Sequence, residues 1–176
     1  MANETDRRAR LGLAQGIVTL ADADPLWVAA YESEAVAIRS ALASVALDIQ
    51  HIGSTAVPGI KAKPIIDIMV GVRRLDDGLA CIDLMAGIGY DYAGAELVPD
   101  DHIFGKGVAR THLVHVVAHG GHHWTRNLRF RDALRTDPTL TRAYEDLKVG
   151  LAAKFADRRA AYTAAKKDFI DRIADG

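Results

Sequence analysis

Residues 51–72 read HIGSTAVPGIKAKPIIDIMVGV, and this stretch decides the fold. A Gly-Ser turn at residues 53–54 follows a short apolar segment, and one aspartate, Asp67, lies inside the otherwise apolar run IIDIMVGV. Removing an ionised carboxylate from water costs several kcal/mol unless a cation or hydrogen bonds compensate it. Asp67 is therefore expected to have a partner or a function.

Residues 65–72 predict a strand that is buried on both faces, because the run is apolar at nearly every position. Side chains alternate along a strand, so Asp67 shares a face with Ile65 and Met69, and the residues between them point to the other face. Residues 47–52 predict a second strand that runs into the Gly-Ser turn. If the two strands are neighbours, Ser54 and Asp67 face the same cleft.

The remaining pattern mixes strands and helices and ends in a run of helices, which predicts an α+β fold: a mixed sheet flanked by helices, with a C-terminal helical section. We expect residues 1–15 to form a flexible leader and residues 16–176 a single domain. Further strands are predicted at residues 16–20, 90–98 and 110–117, with the sequence DDHIFGKG at 100–107 as a turn. Helices are predicted from Asp24-Pro25, over 75–86, over 124–135, from Asp137-Pro138, and from a cap at Asp157.

Composition limits the functional classes. The 176 residues are 49% hydrophobic and 26% charged, with a formal net charge of -1, which argues against binding of extended nucleic acid. The single cysteine, Cys81, excludes an internal disulfide and fits a reducing compartment. No apolar run approaches the ~20 residues of a membrane helix, and the N-terminus lacks a secretory pattern, so we expect a cytoplasmic protein that does not contact the membrane.

The Gly-Ser turn predicts a phosphate site. Gly53 permits a tight bend and a close approach of ligand to backbone, while the hydroxyls of Ser54 and Thr55 and the N–H groups of a following helix point at an anion. Lys63, and Lys61 before it, can supply positive charge to a phosphate. The alternative is that the turn merely caps a helix.

These motifs resemble the GrpB family, a group within the nucleotidyltransferase superfamily, and the resemblance extends over about residues 17–173. In the first half it consists of His51-Ile52-Gly53-Ser54-Thr55, Val57-Pro58-Gly59 and Ala62-Lys63-Pro64-Ile65-Ile66-Asp67-Ile68. In the second half it consists of Arg110-Thr111-His112, His115-Val116, Phe130-Arg131-Asp132, Tyr144, Leu147-Lys148, Tyr162-Thr163, Lys166 and Phe169-Ile170.

The resemblance implies a nucleotidyltransferase-like fold and a nucleotide or another phosphorylated small molecule as ligand. Active members of the superfamily hold two Mg²⁺ ions between carboxylates and the triphosphate of a nucleotide. Here Met69 stands where a second carboxylate would follow Asp67, and the third position falls on strand 110–117, which holds histidine and no acid. We predict Asp67 and His115 as catalytic residues and as ligands of a divalent metal, Mg²⁺ or Mn²⁺, with Zn²⁺ as an alternative.

Five of the seven histidines lie between residues 112 and 123. His112 and His115 have opposite parity on their strand, so only one can join Asp67, and His115 is preferred because it matches the family. His119, His122 and His123 lie in a glycine-containing loop at a spacing that matches no known ligand motif.

Three functions therefore remain open. The first is binding of a nucleotide or phosphorylated molecule, with transfer of a nucleotidyl group to a small acceptor. The second is a catalytically degenerate accessory or folding module. The resemblance implies such a role for the related domain that is fused to dephospho-CoA kinase. The third is a hydrolase that uses a histidine-bound metal.

Overall fold

The computed structural model describes residues 9–94 and 100–176, and its centre is a five-stranded mixed sheet in the order β1-β2-β5-β4-β3. β2 and β5 are parallel, and the other three pairs of neighbours are antiparallel. The predicted α+β class is confirmed. The strands are β1 (Asp48–Ile52), β2 (Ile66–Val72), β3 (Tyr90–Gly94), β4 (His102–Lys106) and β5 (His112–Ala118).

Six helices in the described residues cover the two faces of this sheet. α1 and α2 pack on one face, and α3 contacts the other, with α4 and α6 packed against α3. The helices are α1 (Leu26–Leu42), α2 (Cys81–Ala86), α3 (His122–Thr136), α4 (Pro138–Lys154), α5 (Arg159–Ala165) and α6 (Lys167–Ala174).

Strand β2 has the two buried faces that its sequence predicts. Ile66, Ile68 and Val70 are fully buried in the large apolar cluster under α1 and α2. Met69, on the other face, packs in a separate cluster with Trp124 of α3. β1 pairs with β2 antiparallel, which confirms the predicted neighbours.

Two aspartates start long helices as predicted. The Asp24 carboxylate accepts from the backbone N–H of Leu26 at 2.9 Å, where α1 begins. Asp137 accepts from the N–H groups of Thr139 and Leu140, and Pro138 follows it as the first residue of α4. Each cap satisfies backbone donors that the helix itself leaves unpaired.

The predicted turn at 100–107 is wrong, because its centre is strand β4. His102, Ile103 and Phe104 are buried there, and Phe104 is fully enclosed between β3 and β5. The charges and glycines that indicated a turn lie at the two ends of the segment. Residues 95–99, which include the end of the predicted strand 90–98, lie outside the described residues.

Three other elements differ from prediction. Residues 16–20 form no strand; isolated bridges lie on either side of them at Leu13 and Ala21, and the N–H of Val18 donates to the carbonyl of Ala156. The helix predicted over 75–86 divides into a 3₁₀ turn, Leu75–Gly78, and α2. The last helix is two helices, α5 and α6, and α5 begins after Arg158 rather than at a cap formed by Asp157.

The predicted leader, residues 1–15, has a packed end. Leu13 is buried and exchanges backbone hydrogen bonds with Arg110 at 3.0 and 3.1 Å, and the N–H of Gly12 donates to the carbonyl of Pro64. Residues 1–8 lie outside the described residues.

Candidate functional site

The Gly-Ser turn and Asp67 are in direct contact. Ile52, the last residue of β1, pairs with Asp67 of β2, so the turn after β1 lies beside the carboxylate. Gly53 has φ 68° and ψ -171°, and a Cβ on Gly53 would lie 2.5 Å from Oδ2 of Asp67. The position therefore requires glycine both for its backbone conformation and for the space that the carboxylate occupies.

A cavity of about 270 Å³ opens between this turn and the C-terminal helices. We call it the Asp67 cavity. Every residue predicted for the site lines it: Gly53, Ser54, Thr55, Lys63, Asp67 and His115. The folded chain thus brings together groups that lie up to 62 positions apart, from Gly53 to His115.

The segment after Gly53 is shorter than the predicted helix. Ser54–Ala56 is a single 3₁₀ turn of three residues, so the helix and the dipole predicted for anion binding are missing at this point of the described chain. The Thr55 hydroxyl lies 3.0 Å from Nε2 of His51, so it is hydrogen-bonded within the protein. Ser54 and Tyr144 line the cavity side by side.

Two lysines of the cavity, Lys148 and Lys166, were not predicted from the sequence. Lys148 is 1% exposed, and its ammonium lies 4.9 Å from the centre of the Tyr144 ring. Lys166 stands at the break between α5 and α6, and its ammonium lies 4.4 Å from the centre of the Tyr162 ring. Both lysines belong to segments that resemble the family. The helical pattern of these segments indicated only which side of each helix is apolar.

Burial changes the acid–base properties of these amines. It lowers the pKa of Lys148 to about 8. The pKa of Lys166 falls to about 7, because burial and the nearby charge of Lys63 both disfavour the ammonium form. The pKa of Lys63 is also lowered by burial, although the charge of Asp67 opposes this shift.

Lysines outnumber carboxylates among the residues that line the cavity. Lys63, Lys148 and Lys166 line it together with a single carboxylate, that of Asp67. Arg126 also lines the wall, but Asp171 and Asp175 of the α6 region pair with its guanidinium. Within the described ranges, no Lys, Arg or His nitrogen lies within 4.0 Å of the Asp67 carboxylate. Asp67 is thus held beside three lysines without forming an ion pair.

Lys61, the other lysine of the turn, does not join them. Its ammonium pairs with Asp22 at the surface, and Lys61 is not among the residues that line the cavity.

His115 lies on the Asp67 side of the sheet, whereas His112 faces Glu34 of α1 at 4.0 Å, as the parity of the strand predicted. Nδ1 of His115 is 2.6 Å from Oδ2 of Asp101, whose side chain is completely buried. Burial alone would lower the pKa of His115, but the hydrogen bond and charge of Asp101 and the charge of Asp67 together raise it. Asp101 was not predicted as a site residue because the segment around it was interpreted as a turn.

The other histidines do not assemble a metal centre. His119 packs its ring on Trp124, with 4.7 Å between the ring centres, and His123 places Nε2 3.7 Å from Oδ2 of Asp101. Across residues 9–94 and 100–176, no group of three or more His, Cys, Asp or Glu side chains is placed to hold a metal ion. A cation at Asp67 and His115 would therefore complete its shell with ligand phosphates and water, as Mg²⁺ commonly does.

Arginines of α3 fasten the cavity wall to the sheet. Arg131 donates to Oε1 of Gln50 at 2.9 Å and to the carbonyl of His51 at 3.1 Å, in addition to its pair with Asp132. Arg135 donates to the carbonyl of Ala56, at the end of the Gly-Ser turn. These contacts give Arg131 a structural role.

The fold and the site together indicate one protein family. They combine a mixed sheet, a Gly-Ser turn beside the single aspartate of a buried strand, and a cover of helices. A family model described as "GrpB protein" matches residues 17–175. The chain belongs to the GrpB family, as the motifs around Asp67 indicated.

Relatives and a solved structure agree. The glutamate-rich protein GrpB of Alkalihalophilus pseudofirmus is 34% identical over 93% of this chain and 97% of its own length. A UPF0157 protein of Pseudomonas aeruginosa is 40% identical over 86% of this chain and 64% of its own length. The crystal structure of the conserved protein GrpB from Enterococcus faecalis matches with a TM-score of 0.82 and 34% identity, over 89% of this chain and 95% of that one. The structural match confirms the fold, and these relatives are bacterial.

None of the helices in the part of the chain that the structure describes has the length and apolar character needed to span a membrane.

Proposed function

We propose that this protein binds a phosphorylated small molecule, such as a nucleotide, with its phosphates in the Asp67 cavity. The observation that supports the proposal is the excess of three lysines over one carboxylate among the lining residues. Partly buried ammonium groups without carboxylate partners are costly unless an anion compensates them. Ser54, and the backbone at Gly53 that no side chain covers, add polar groups to the same wall of the cavity.

The size of the cavity favours the phosphate part of a ligand. Small-molecule sites usually measure about 300–1,000 Å³, and this cavity of about 270 Å³ lies just below that range. A diphosphate or triphosphate group fills such a volume, and a nucleoside attached to it would extend past the mouth.

The finer proposal is transfer of a nucleotidyl group to a small-molecule hydroxyl or amine. Asp67, together with His115, would hold a divalent cation, Mg²⁺ or Mn²⁺ with Zn²⁺ as the alternative, which supplies charge neutralisation at the phosphates. Met69 supplies no second carboxylate, and its side chain is fully buried against Trp124 rather than in the cavity. Protein groups would act chiefly by positioning the ligand and by electrostatic stabilisation.

Calorimetric titration with inorganic pyrophosphate, ATP, CTP, GTP and UTP, each with and without Mg²⁺, tests the binding proposal. Lys63→Met should weaken pyrophosphate binding by about tenfold or more, because it removes a charged partner. Lys61→Met is the matched control, since Lys61 lies two positions away and outside the cavity, and it should bind like wild type. Absence of binding to all five compounds by the wild type would reject the proposal.

Asp67→Asn separates binding from metal-assisted chemistry. The variant should bind pyrophosphate alone at least as tightly as wild type, because it loses a repelling carboxylate. It should also lose any increase in affinity that Mg²⁺ or Mn²⁺ gives the wild type. Equal metal dependence in both proteins would contradict a metal role for Asp67.

The second candidate is a non-catalytic accessory module, and the buried Met69 in place of an acid favours it. This function predicts that the wild type binds none of the five compounds and that Asp67→Asn changes only its stability.

A further inference from the structure

The pair formed by Asp101 and His115 is not explained by phosphate binding through lysines. Asp101 precedes β4, its side chain is 0% exposed, and it accepts from Nδ1 of His115 at 2.6 Å. Burying a carboxylate completely is expensive unless it is paired and hydrogen-bonded. The chain places this costly group directly behind a residue of the cavity wall.

We propose that Asp101 is a positioning residue, which holds the ring of His115 through Nδ1 and so fixes the direction in which Nε2 of His115 faces the ligand. This inference rests on the proposed function. Asp101 itself does not line the cavity, whereas His115 does.

The geometry assigns the two ring nitrogens different tasks. Nδ1 is engaged by Asp101, and within the described residues Nε2 has no hydrogen-bond partner. A carboxylate that accepts from one imidazole nitrogen fixes both the orientation of the ring and the nitrogen that carries the proton, and so determines what the other nitrogen presents. Asp101 has the same effect here on the side of His115 that meets the ligand.

Charges of both signs surround His115. Two carboxylates face the ring, Asp67 from β2 and Asp101 from the start of β4, and both favour a protonated imidazole. Lys63 opposes them, and His123 is a second, more distant partner of Asp101 at 3.7 Å. A ring held in one orientation beside the lysines adds a directional contact, because a contact through one ring nitrogen constrains geometry more than a distant charge does.

Nuclear magnetic resonance of the imidazole nitrogens, at one pH near 7, tests the arrangement. The signals of His115 are assigned by their loss in His115→Gln. In the wild type, Nδ1 should be protonated, and added pyrophosphate should shift Nε2. In Asp101→Asn, the Nδ1 signal should change even without ligand, and pyrophosphate should bind about 10- to 100-fold more weakly.

Asp100→Asn is the matched control. Asp100 is the exposed neighbour of Asp101 with φ 60°, a conformation that asparagine tolerates, so the variant should resemble wild type in both measurements. His123→Gln is a second control, because it removes the other imidazole near Asp101 and should leave the His115 signals and the pyrophosphate affinity unchanged.

Several results would overturn the inference. One is an Asp101→Asn variant that loses only stability and keeps the His115 signals and the affinity of wild type. Another is a wild-type Nε2 signal that pyrophosphate does not move, although pyrophosphate binds. If Asp101→Asn does not fold, His115→Gln decides, because wild-type affinity in that variant would remove the role of Nε2.

Failure of the proposed function is distinguishable. If the wild type binds no pyrophosphate, the proposed function and the contact of Nε2 with the ligand both fail. The ligand-free comparison of wild type with Asp101→Asn then still decides whether Asp101 holds His115.

Discussion

The two faces of strand β2 use one stretch of chain for opposite purposes. On one face, Ile66, Ile68 and Val70 are fully buried in an apolar cluster under α1 and α2. On the other, Asp67 faces a cavity with three lysines. Apolar burial on the first face favours folding, while the second face keeps charges close together at a cost in stability.

The covers of the two faces differ accordingly. The apolar face is closed by α1, whose Trp27, Ile38 and Leu42 are buried. The Asp67 face is covered in part by short helices, and α5 ends at Ala165, just before Lys166, whose side chain lines the cavity. A continuous helix through residue 166 would have given a more regular cover.

The largest effect should come from breaking the apolar face. Ile68→Ala should lower the free energy of unfolding by about 2–5 kcal/mol, because it opens a cavity in a closely packed core. Urea unfolding measures this loss, and calorimetry of the folded fraction should give the pyrophosphate affinity of wild type. Asp67→Asn, one position away, should do the reverse: little change in stability and a changed metal dependence. Equal losses of stability in both variants would contradict the division between the faces.

The sequence predicted the Asp67 face unevenly, for physical reasons. Alternation along a strand is a strict period of two, so the sides of Asp67 and His115 followed directly from their positions. Asp101 was missed because its segment, 100–107, carries turn residues at both ends of a five-residue strand. Short strands with polar ends and turns have the same composition, and only pairing with β3 and β5 distinguishes them.

Lys148 and Lys166 were missed for a different reason. A helical period identifies which side of a helix is apolar, and long amphipathic side chains lie on that side without breaking the pattern. Lys148 is 1% exposed although it is a lysine, and its ammonium lies beside the Tyr144 ring and donates to the carbonyl of Lys61. Cavities between helices depend on tertiary packing, which the sequence of one helix does not contain.

The next effect in size concerns the contact between the Gly-Ser turn and Asp67. Gly53→Ala should lower the free energy of unfolding by about 1–3 kcal/mol, because the backbone conformation at Gly53 is nearly restricted to glycine. It should also displace the Asp67 carboxylate and reduce the metal dependence of pyrophosphate binding. Urea unfolding and calorimetry measure the two effects.

Gly59→Ala is the control for Gly53→Ala. Gly59 also has a positive φ, 82°, but a Cβ there meets no atom within 4 Å. This variant should lose stability through strain alone and should keep the metal dependence of wild type. If pyrophosphate binding by the two variants has the same metal dependence, the contact between Gly53 and Asp67 has no part in the site.

The smallest effect should have the opposite sign. Lys166→Met should raise the free energy of unfolding by about 1–2 kcal/mol near pH 6.5, because it removes a partly buried charge that has no carboxylate partner. The folded-state pKa of Lys166 is about 7, below its ordinary value of 10.5, so the unfolded chain binds more protons between these values. The wild type therefore gains stability as the pH rises through this window, and the advantage of Lys166→Met should disappear toward pH 10.

Urea unfolding at pH 6.5 and pH 9.5 measures this change, and Lys167→Met is the control. Lys167 is the adjacent residue, its side chain is 70% exposed, and its variant should show little pH-dependent difference from wild type. Pyrophosphate should reverse the order of stability at pH 6.5, because an anion that binds the folded protein stabilises the wild type more than a variant that has lost one of its partners. Lower stability of Lys166→Met at pH 6.5 without ligand would contradict the conclusion that the charged face lowers the stability of the ligand-free protein and that a bound ligand offsets this loss.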